Sequence, residues 1–180
     1  MSDVLYPVGT VLKIRCSTYW HYGMSDGQGS VIHNSKKRRR VQFDTLEAFS
    51  DGKEIVVSSI VGQDPEQAYI NGQKYLGMPY NLFNQNCEQF VRESHGLPVE
   101  CTQLQRFIVL MLGGYLVLRA QERLIKLAGI GLLCGGLTAP SEKKPYRRAI
   151  IGAQLAVGSA ILFTRVARLL VRRSSPPVTN

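Results

Sequence analysis

The sequence predicts an α+β domain followed by a separate apolar and basic helical region. Short β-branched runs broken by glycine turns fill the first half of the chain, and capped helix starts follow them. The net charge of +9 is also uneven: residues 1–100 hold 10 Lys and Arg against 11 Asp and Glu, whereas residues 101–180 hold 12 against 2. We therefore expect a near-neutral domain over residues 1–100 and a basic tail over residues 101–180.

The domain is expected to contain an antiparallel sheet. The predicted strands are residues 11–15, 19–24, 30–33, 41–43 and 55–57. The second and third strands flank a loop with two glycines and read as a hairpin. This hairpin carries His21 and His33, and residues opposite each other on paired strands lie within about 5 Å.

Three helix starts are recognised by their capping residues. Asp44 or Thr45 precedes a short helical turn, and Asp64 followed by Pro65 begins a second helix. Asn86 precedes the third helix, which is the one that carries Cys87.

A run of five cations at residues 36–40 lies between two predicted strands. A solvated turn is the favoured interpretation, and a phosphate-binding patch is the alternative. Because no aromatic residues are interleaved with the cations, we do not expect nucleic acid as a partner.

Cys87 lies in the first turn of its helix, where unpaired N–H groups and the helix dipole favour a thiolate. A thiolate is the form that attacks a carbonyl carbon. A buried, unreactive thiol is the competing interpretation, and the local sequence alone does not choose between them.

The other cysteines are Cys16, Cys101 and Cys134, and no C-x-x-C spacing is present. We therefore expect neither a metal site nor a disulfide framework, and no cofactor. Residues 1–4 do not resemble the start of a secretory signal, so reduced cysteines on the cytosolic side are expected.

The tail contains three apolar segments at residues 107–118, 124–139 and 149–163, each bounded by Lys or Arg. Each is somewhat shorter than the roughly 20 residues that span a bilayer. A membrane hairpin made of the last two segments, a set of interfacial helices, and a soluble helical subdomain all remain open. Membrane association of either kind is favoured, because helices this apolar need more core than the chain provides.

Several motifs of the first half together resemble the lecithin retinol acyltransferase family, the circularly permuted branch of the NlpC/P60 papain-like cysteine hydrolases. The resemblance covers roughly residues 7–97. The motifs that carry it are Arg15, residues 19–23, residues 26–33, residues 80–83 and residues 86–90. One departure is Gln89, where the family usually has His, and it implies altered substrate contacts.

The resemblance implies a role for each site residue. Cys87 would be the nucleophile, His21 the general base and then the general acid, and His33 the residue that orients His21. Arg15 and Tyr19 would help to hold the oxyanion, together with the backbone N–H of Cys87. No metal is implied.

The resemblance and the tail together predict a membrane-associated thiol acyltransferase or phospholipase A1/A2. Its substrate would be a phospholipid or another acyl-lipid, and its catalytic domain would lie on the cytoplasmic side of the membrane. A cysteine peptidase or amidase is one alternative. A membrane-active protein with a non-catalytic domain is the other.

Overall fold

The structure is a computed structural model that describes residues 5–140, 142, 143 and 145–174, without the side chains of residues 147 and 167–174. The expectation for residues 1–4 and the flanking cation Lys144 lie outside this part of the chain. The side chains of four further tail cations lie outside it as well: Arg147, Arg168, Arg172 and Arg173. The chain divides into two compact units, Met1–Gln103 and Leu104–Asn180.

The first unit is built on a five-stranded antiparallel sheet with the strand order β4-β3-β2-β1-β5. The strands are β1 (Val11–Arg15), β2 (Trp20–Ser25), β3 (Ser30–Ser35), β4 (Arg40–Thr45) and β5 (Ile55–Val57). All five predicted strands are confirmed, and so is the α+β class. The cations at residues 36–39 form the turn between β3 and β4.

Strands β2 and β3 pair over only two residue pairs, Met24↔Ile32 and Ser25↔Val31, before they diverge. The backbone groups of Tyr19 and Ser25 point toward β1, where they form hydrogen bonds with the backbone of Cys16 and of Thr10, respectively. Backbone groups alternate in direction along a strand, so Trp20 and the other even-numbered residues of β2 face the gap. The functional site is built around this gap.

Three helices complete the first unit: α1 (Leu46–Ser50), α2 (Pro65–Gln73) and α3 (Cys87–Ser94). The predicted caps are present: the side chains of Thr45, Asp64 and Asn86 accept backbone N–H groups of α1, α2 and α3, respectively. Since Thr45 takes the capping role before α1, the carboxylate of Asp44 is available for another contact.

The two faces of the sheet carry separate apolar clusters, as strand alternation requires. Tyr22, Met24 and Ile32 pack with Phe90 of α3 on one face. On the other face, Leu12, Ile14 and Val31 pack with Phe49 of α1. His21 and His33 share this second face, because both rings contact Phe49, with centroids 5.5 Å and 5.3 Å from it.

The second unit is helical. Its helices are α4 (Thr102–Arg119), which begins in the last residues of the first unit, α5 (Arg123–Thr138) and α6 (Tyr146–Ser174). Helix α6 is longer than the apolar segment that the sequence marks at residues 149–163. Arg is a good helix former, so the arginines beyond that segment continue the helix rather than ending it.

Small residues bring α5 and α6 close together. Gly131 and Gly135 of α5 lie against the backbone of α6 around Gly152 and Ala149, so a Cβ at either α5 glycine would collide with it. Close approach of this kind at glycines is typical of helix pairs in membranes.

Within the described residues, one helix is long and apolar enough to cross a membrane. It is the segment Arg148–Val166 of α6, with a mean hydropathy of 1.6 and only 6% of its length buried. Large apolar side chains are exposed elsewhere in this unit too, including Leu118 at 82% and Tyr115 at 62%. A soluble core helix would be mostly buried, so this composition is compatible with membrane association.

Candidate active site

Two histidines and a carboxylate form a continuous hydrogen-bonded chain on one face of the sheet. Nε2 of His21 lies 2.7 Å from Nδ1 of His33, and Nε2 of His33 lies 2.9 Å from Oδ2 of Asp44. Gln42 donates its side-chain N–H to the same carboxylate oxygen at 2.8 Å. The contact between the two predicted histidines is therefore present, and Asp44 extends it.

The direction of each hydrogen bond follows from the chemistry of the groups. An ionised carboxylate only accepts, so Nε2 of His33 must carry the proton that faces Asp44. In a neutral imidazole the other nitrogen then accepts, so Nδ1 of His33 accepts a hydrogen bond from the N–H at Nε2 of His21. This leaves Nδ1 of His21 with a lone pair, and Nδ1 is therefore the basic nitrogen of the site.

Burial keeps both rings neutral. Desolvation, followed by unfavourable electrostatic interactions of a charged His21 ring with His33 and Lys53, lowers the pKa of His21 from 6.5 to about 3. Desolvation also lowers the pKa of His33, although the hydrogen bond and charge of Asp44 oppose that shift. At neutral pH, His21 is thus an unprotonated base.

The sulfur of Cys87 lies in the gap between β2 and β3. Sγ is 4.0 Å from the carbonyl oxygen of Trp20, and the backbone N–H of Tyr22 also interacts with it. The thiol therefore contacts the backbone on both sides of His21. Among the described residues, no hydrogen bond joins Sγ directly to the His21 ring, so in this resting arrangement the thiol faces the strand and not the imidazole.

The ionisation of Cys87 differs from the sequence-based expectation of a stabilised thiolate. Burial, and to a lesser extent the charge of Glu88, raise the pKa of the thiol from 9.0 to about 12, although backbone N–H groups lower it in part. The side chain is only 5% exposed, and desolvation here outweighs the helix N-terminus. The resting site holds a neutral thiol and a neutral imidazole.

The start of α3 is fixed by a reciprocal capping box. The side-chain oxygen of Asn86 accepts the N–H groups of Glu88 and Gln89, both at 3.0 Å, and Gln89 returns a hydrogen bond to the N–H of Asn86. Gln89 also donates to the carbonyl oxygen of Phe83 at 2.7 Å. Both polar atoms of Gln89 are thus used within the chain. The expectation that Gln89, in place of His, alters the contacts with substrate remains a prediction.

Glu88 and Gln103 hold the site together, and sequence reasoning missed both. Glu88 is completely buried and accepts hydrogen bonds from Arg92 at 3.1 Å and from the N–H and hydroxyl of Thr102 at 3.0 Å and 2.8 Å. Gln103 bonds both backbone groups of Trp20, at 2.6 Å and 3.0 Å. It occupies the place on β2 that β3 vacates, and it fixes the strand that carries His21.

A cavity of about 190 Å³ opens beside the two imidazoles, and Tyr19 and Asp44 also line it. The pKa of Tyr19 is raised to about 12, first by burial and then by its neighbours Cys16 and Cys87, so its hydroxyl remains a hydrogen-bond donor. Tyr19 thus lies near both the cavity and the thiol, and its role at an oxyanion remains a prediction.

Arg15, the other residue expected to contact the oxyanion, is placed differently from Tyr19. Its guanidinium lies over the Trp20 ring, 5.3 Å from the centroid, and it does not line the cavity beside the histidines. Its role at an oxyanion remains a prediction.

Asp44 and Gln103 carried little signal in the sequence. Asp44 reads as a helix cap, and only the register β3–β4, which sets His33 opposite Gln42, brings it next to the ring. Gln103 lies in a helix start that reads as part of the tail. The contact of Asp44 depends on strand register and that of Gln103 spans 83 positions of the chain, and local patterns encode neither.

Two comparisons with known proteins were informative about the family of this chain. A search of curated proteins finds no match to the chain. The family model for lecithin retinol acyltransferase matches residues 5–96, a span that holds both histidines, Asp44 and Cys87. Because that match covers just over half of the 180 residues, the chain belongs to the lecithin retinol acyltransferase family.

Proposed function

We propose that the protein is a membrane-associated thiol acyltransferase with phospholipase A1/A2 activity, in which Cys87 carries the acyl group. The observation that supports this most directly is the hydrogen-bonded chain from Asp44 through His33 to His21. It leaves one basic nitrogen, Nδ1 of His21, on the residue whose flanking backbone contacts the thiol. Family membership indicates acyltransferase or phospholipase-type chemistry for such a site.

In the first half-reaction, the Cys87 side chain turns from the Trp20 carbonyl toward His21. Nδ1 of His21 takes the thiol proton while the sulfur attacks the ester carbonyl carbon of a glycerophospholipid. The tetrahedral intermediate collapses, the ester C–O bond breaks, and His21 returns the proton to the departing alkoxide. The products are a thioester on Cys87 and a lysophospholipid.

In the second half-reaction, water, an amine or an alcohol attacks the thioester. His21 removes the proton of the attacking group, the C–S bond breaks, and the sulfur takes the proton from His21. The product is a fatty acid, an amide or an ester, according to the acceptor. His21 becomes positively charged in each half-reaction. Its hydrogen bond to His33, which in turn bonds the Asp44 carboxylate, stabilises that charge.

The oxyanion of both intermediates needs preorganised donors. We assign this role to the hydroxyl of Tyr19 and the backbone N–H of Cys87. A phenol whose pKa is raised to about 12 stays protonated throughout the physiological range and keeps its donor.

The second unit supports a membrane-bound setting for this chemistry. Segment Arg148–Val166 has the length and apolarity to cross a bilayer, and large apolar side chains are exposed along it, such as Phe163 at 77% and Leu155 at 65%. Placing the enzyme at the bilayer keeps a lipid substrate near the thiol.

The decisive test is intact-mass analysis of the full chain after incubation with a defined phosphatidylcholine. We expect an acyl adduct on Cys87 that hydroxylamine removes, and we expect Cys87→Ala to lower fatty-acid release by at least about 10³-fold. The control is Cys134→Ala, an exposed cysteine of α5, which should leave the adduct and the activity intact.

Full fatty-acid release by Cys87→Ala would overturn this function. Turnover of a peptide amide without any lipid turnover would favour the peptidase or amidase alternative.

A further inference from the structure

The cavity beside His21 and His33 is rimmed by positive charge. The cations that line it come from two separate segments: Lys36, Lys37, Arg38 and Lys53. The first three belong to the turn between β3 and β4, and the fourth follows α1. The tight turn places the cations on one side of the site, and Lys36 is held there with Nζ over the ring of Tyr19, 5.4 Å from the centroid.

The two carboxylates of the cavity do not cancel this charge. Asp51 pairs with Lys53 at 2.7 Å, and Asp44, which bonds the neutral side chains of His33 and Gln42, balances only one of the three remaining cations. In the described part of the chain, Lys36 and Arg38 form no salt bridge with a carboxylate. An excess of positive charge therefore remains at the mouth of the cavity.

The effect of this charge reaches the histidines. The charge of Arg38 contributes to the lowered pKa of His33, and that of Lys53 contributes to the lowered pKa of His21. Cations that act on both rings line the His21 side of the site, whereas Cys87 does not line this cavity. An anion bound among them would be held beside the catalytic base.

We propose that this cavity binds the phosphate-bearing headgroup of an anionic phospholipid, and that the enzyme prefers acyl donors whose headgroup has a net negative charge. In a glycerophospholipid the phosphate and the esters share one glycerol, so a phosphate at Lys36 and Arg38 positions an ester near His21. A choline headgroup brings its own cation toward this rim and is disfavoured. The inference rests on the proposed function and adds the headgroup that the site selects.

The kinetic test compares dihexanoyl phosphatidylglycerol with dihexanoyl phosphatidylcholine, both below their micelle concentrations, so that membrane surface charge plays no part. The full chain should turn over dihexanoyl phosphatidylglycerol with the larger kcat/KM. The double variant Lys36→Gln and Arg38→Gln should lower the ratio of the two kcat/KM values roughly five- to tenfold, the size expected for two partly exposed ionic contacts.

The matched control is the double variant Arg39→Gln and Lys74→Gln. It removes the same charge from the same unit, and Arg39 even belongs to the same turn, but neither residue lines the cavity. Its ratio should stay within about twofold of wild type. An equal loss of the ratio in both double variants would show a general charge effect and overturn the proposal.

A calorimetric test does not depend on turnover. Full-chain Cys87→Ala is titrated with sn-glycerol 3-phosphate, inorganic phosphate and glycerophosphocholine, with and without the Lys36 and Arg38 substitutions. We expect the glycerol phosphate to bind best and the two substitutions to weaken it. Inorganic phosphate binding as tightly as the glycerol phosphate would make the cavity a phosphate site and overturn the headgroup assignment.

The two proposals fail in different ways. Equal kcat/KM for the two lipids in wild type would refute the headgroup preference and leave the acyl-thioester function standing. Absence of turnover with both lipids would count against the proposed function, and the calorimetric result would then decide the cavity on its own.

Discussion

The two compact units treat polar and apolar groups in opposite ways. The first unit buries polar side chains, among them Glu88 and Asn34 at 0% exposure, and supplies hydrogen bonds to them from distant segments. The second exposes large apolar side chains and packs α5 against α6 through glycine. In water, burying a polar group is costly and burying an apolar one is favourable.

The contrast shows what each unit must do. The first unit holds a buried polar network, which the proton transfers proposed for this site would require. The second unit leaves exposed the apolar surface whose burial would stabilise a soluble domain. This exposure is compatible with contact with lipid. Four changes test this contrast.

The largest effect is expected at Asp44. Asp44→Ala removes the acceptor that fixes the tautomers of His33 and His21, so kcat should fall roughly 10²- to 10³-fold with KM nearly unchanged. The measurement is steady-state turnover of a monomeric lipid. Asp51→Asn is the control, because it removes a carboxylate from the same cavity that does not touch His33, and Asn tolerates its left-handed backbone. Activity of Asp44→Ala within about twofold of wild type would show that the Asp44 carboxylate has no part in catalysis.

Glu88→Ala should destabilise the first unit by about 3 kcal/mol, because it removes a buried carboxylate that accepts hydrogen bonds from Arg92 and from both the N–H and the hydroxyl of Thr102. Urea unfolding followed by the fluorescence of Trp20, the single tryptophan, measures this unit alone. The exposed Glu66 provides the comparison: Glu66→Ala should cost less than about 1 kcal/mol. Equal losses for the two variants would contradict the structural role of Glu88.

A chain that ends at Gln103 separates the two units. It keeps every contact of the site, so turnover of a monomeric lipid should match that of the full chain. Turnover of lipid in vesicles should fall at least about tenfold, because the apolar surface that we propose to bind the bilayer is gone. Undiminished activity on vesicles would show that the second unit has no part in membrane binding.

The smallest expected effect is the change in unfolding free energy per pH unit that each histidine causes. His21, His33 and His95 all have lowered pKa values, so the unfolded chain binds more protons than the folded one below pH 6.5. Stability is therefore fully present above pH 6.5 and falls with acidification, by up to about 1.4 kcal/mol per pH unit for each titrating histidine.

The raised pKa of Cys87 acts in the opposite direction, and stability should also fall above pH 9. Chemical unfolding across the pH range measures both limbs. Cys87→Ala should flatten the alkaline limb and keep the acidic one. A flat profile between pH 4 and pH 7 would contradict neutral buried histidines.

Local chemistry in the sequence accounts for much of the fold. Glycines at turns, strand alternation and the caps at Thr45, Asp64 and Asn86 each act over a few residues, so the elements they start were predicted. The pairing of His21 with His33 followed from one hairpin. These features depend on neighbours in the chain, which a sequence displays directly.

The features that the sequence did not predict depend on strand register, on contacts between distant segments or on burial. Asp44 reaches His33 only through strand register, and Gln103 reaches Trp20 across 83 positions. The thiol of Cys87 is neutral because burial outweighs the helix N-terminus, and burial emerges only when the whole unit is assembled. Strand register, contacts between distant segments and desolvation are therefore the features that the sequence did not display.

The backbone of Trp20 is completed by a side chain that lies seven residues beyond the family match, which ends at residue 96. A chain in which the second unit is replaced or removed therefore needs to keep the residues through Gln103. A junction placed a few positions earlier would remove the side chain that bonds both backbone groups of Trp20, the residue next to His21.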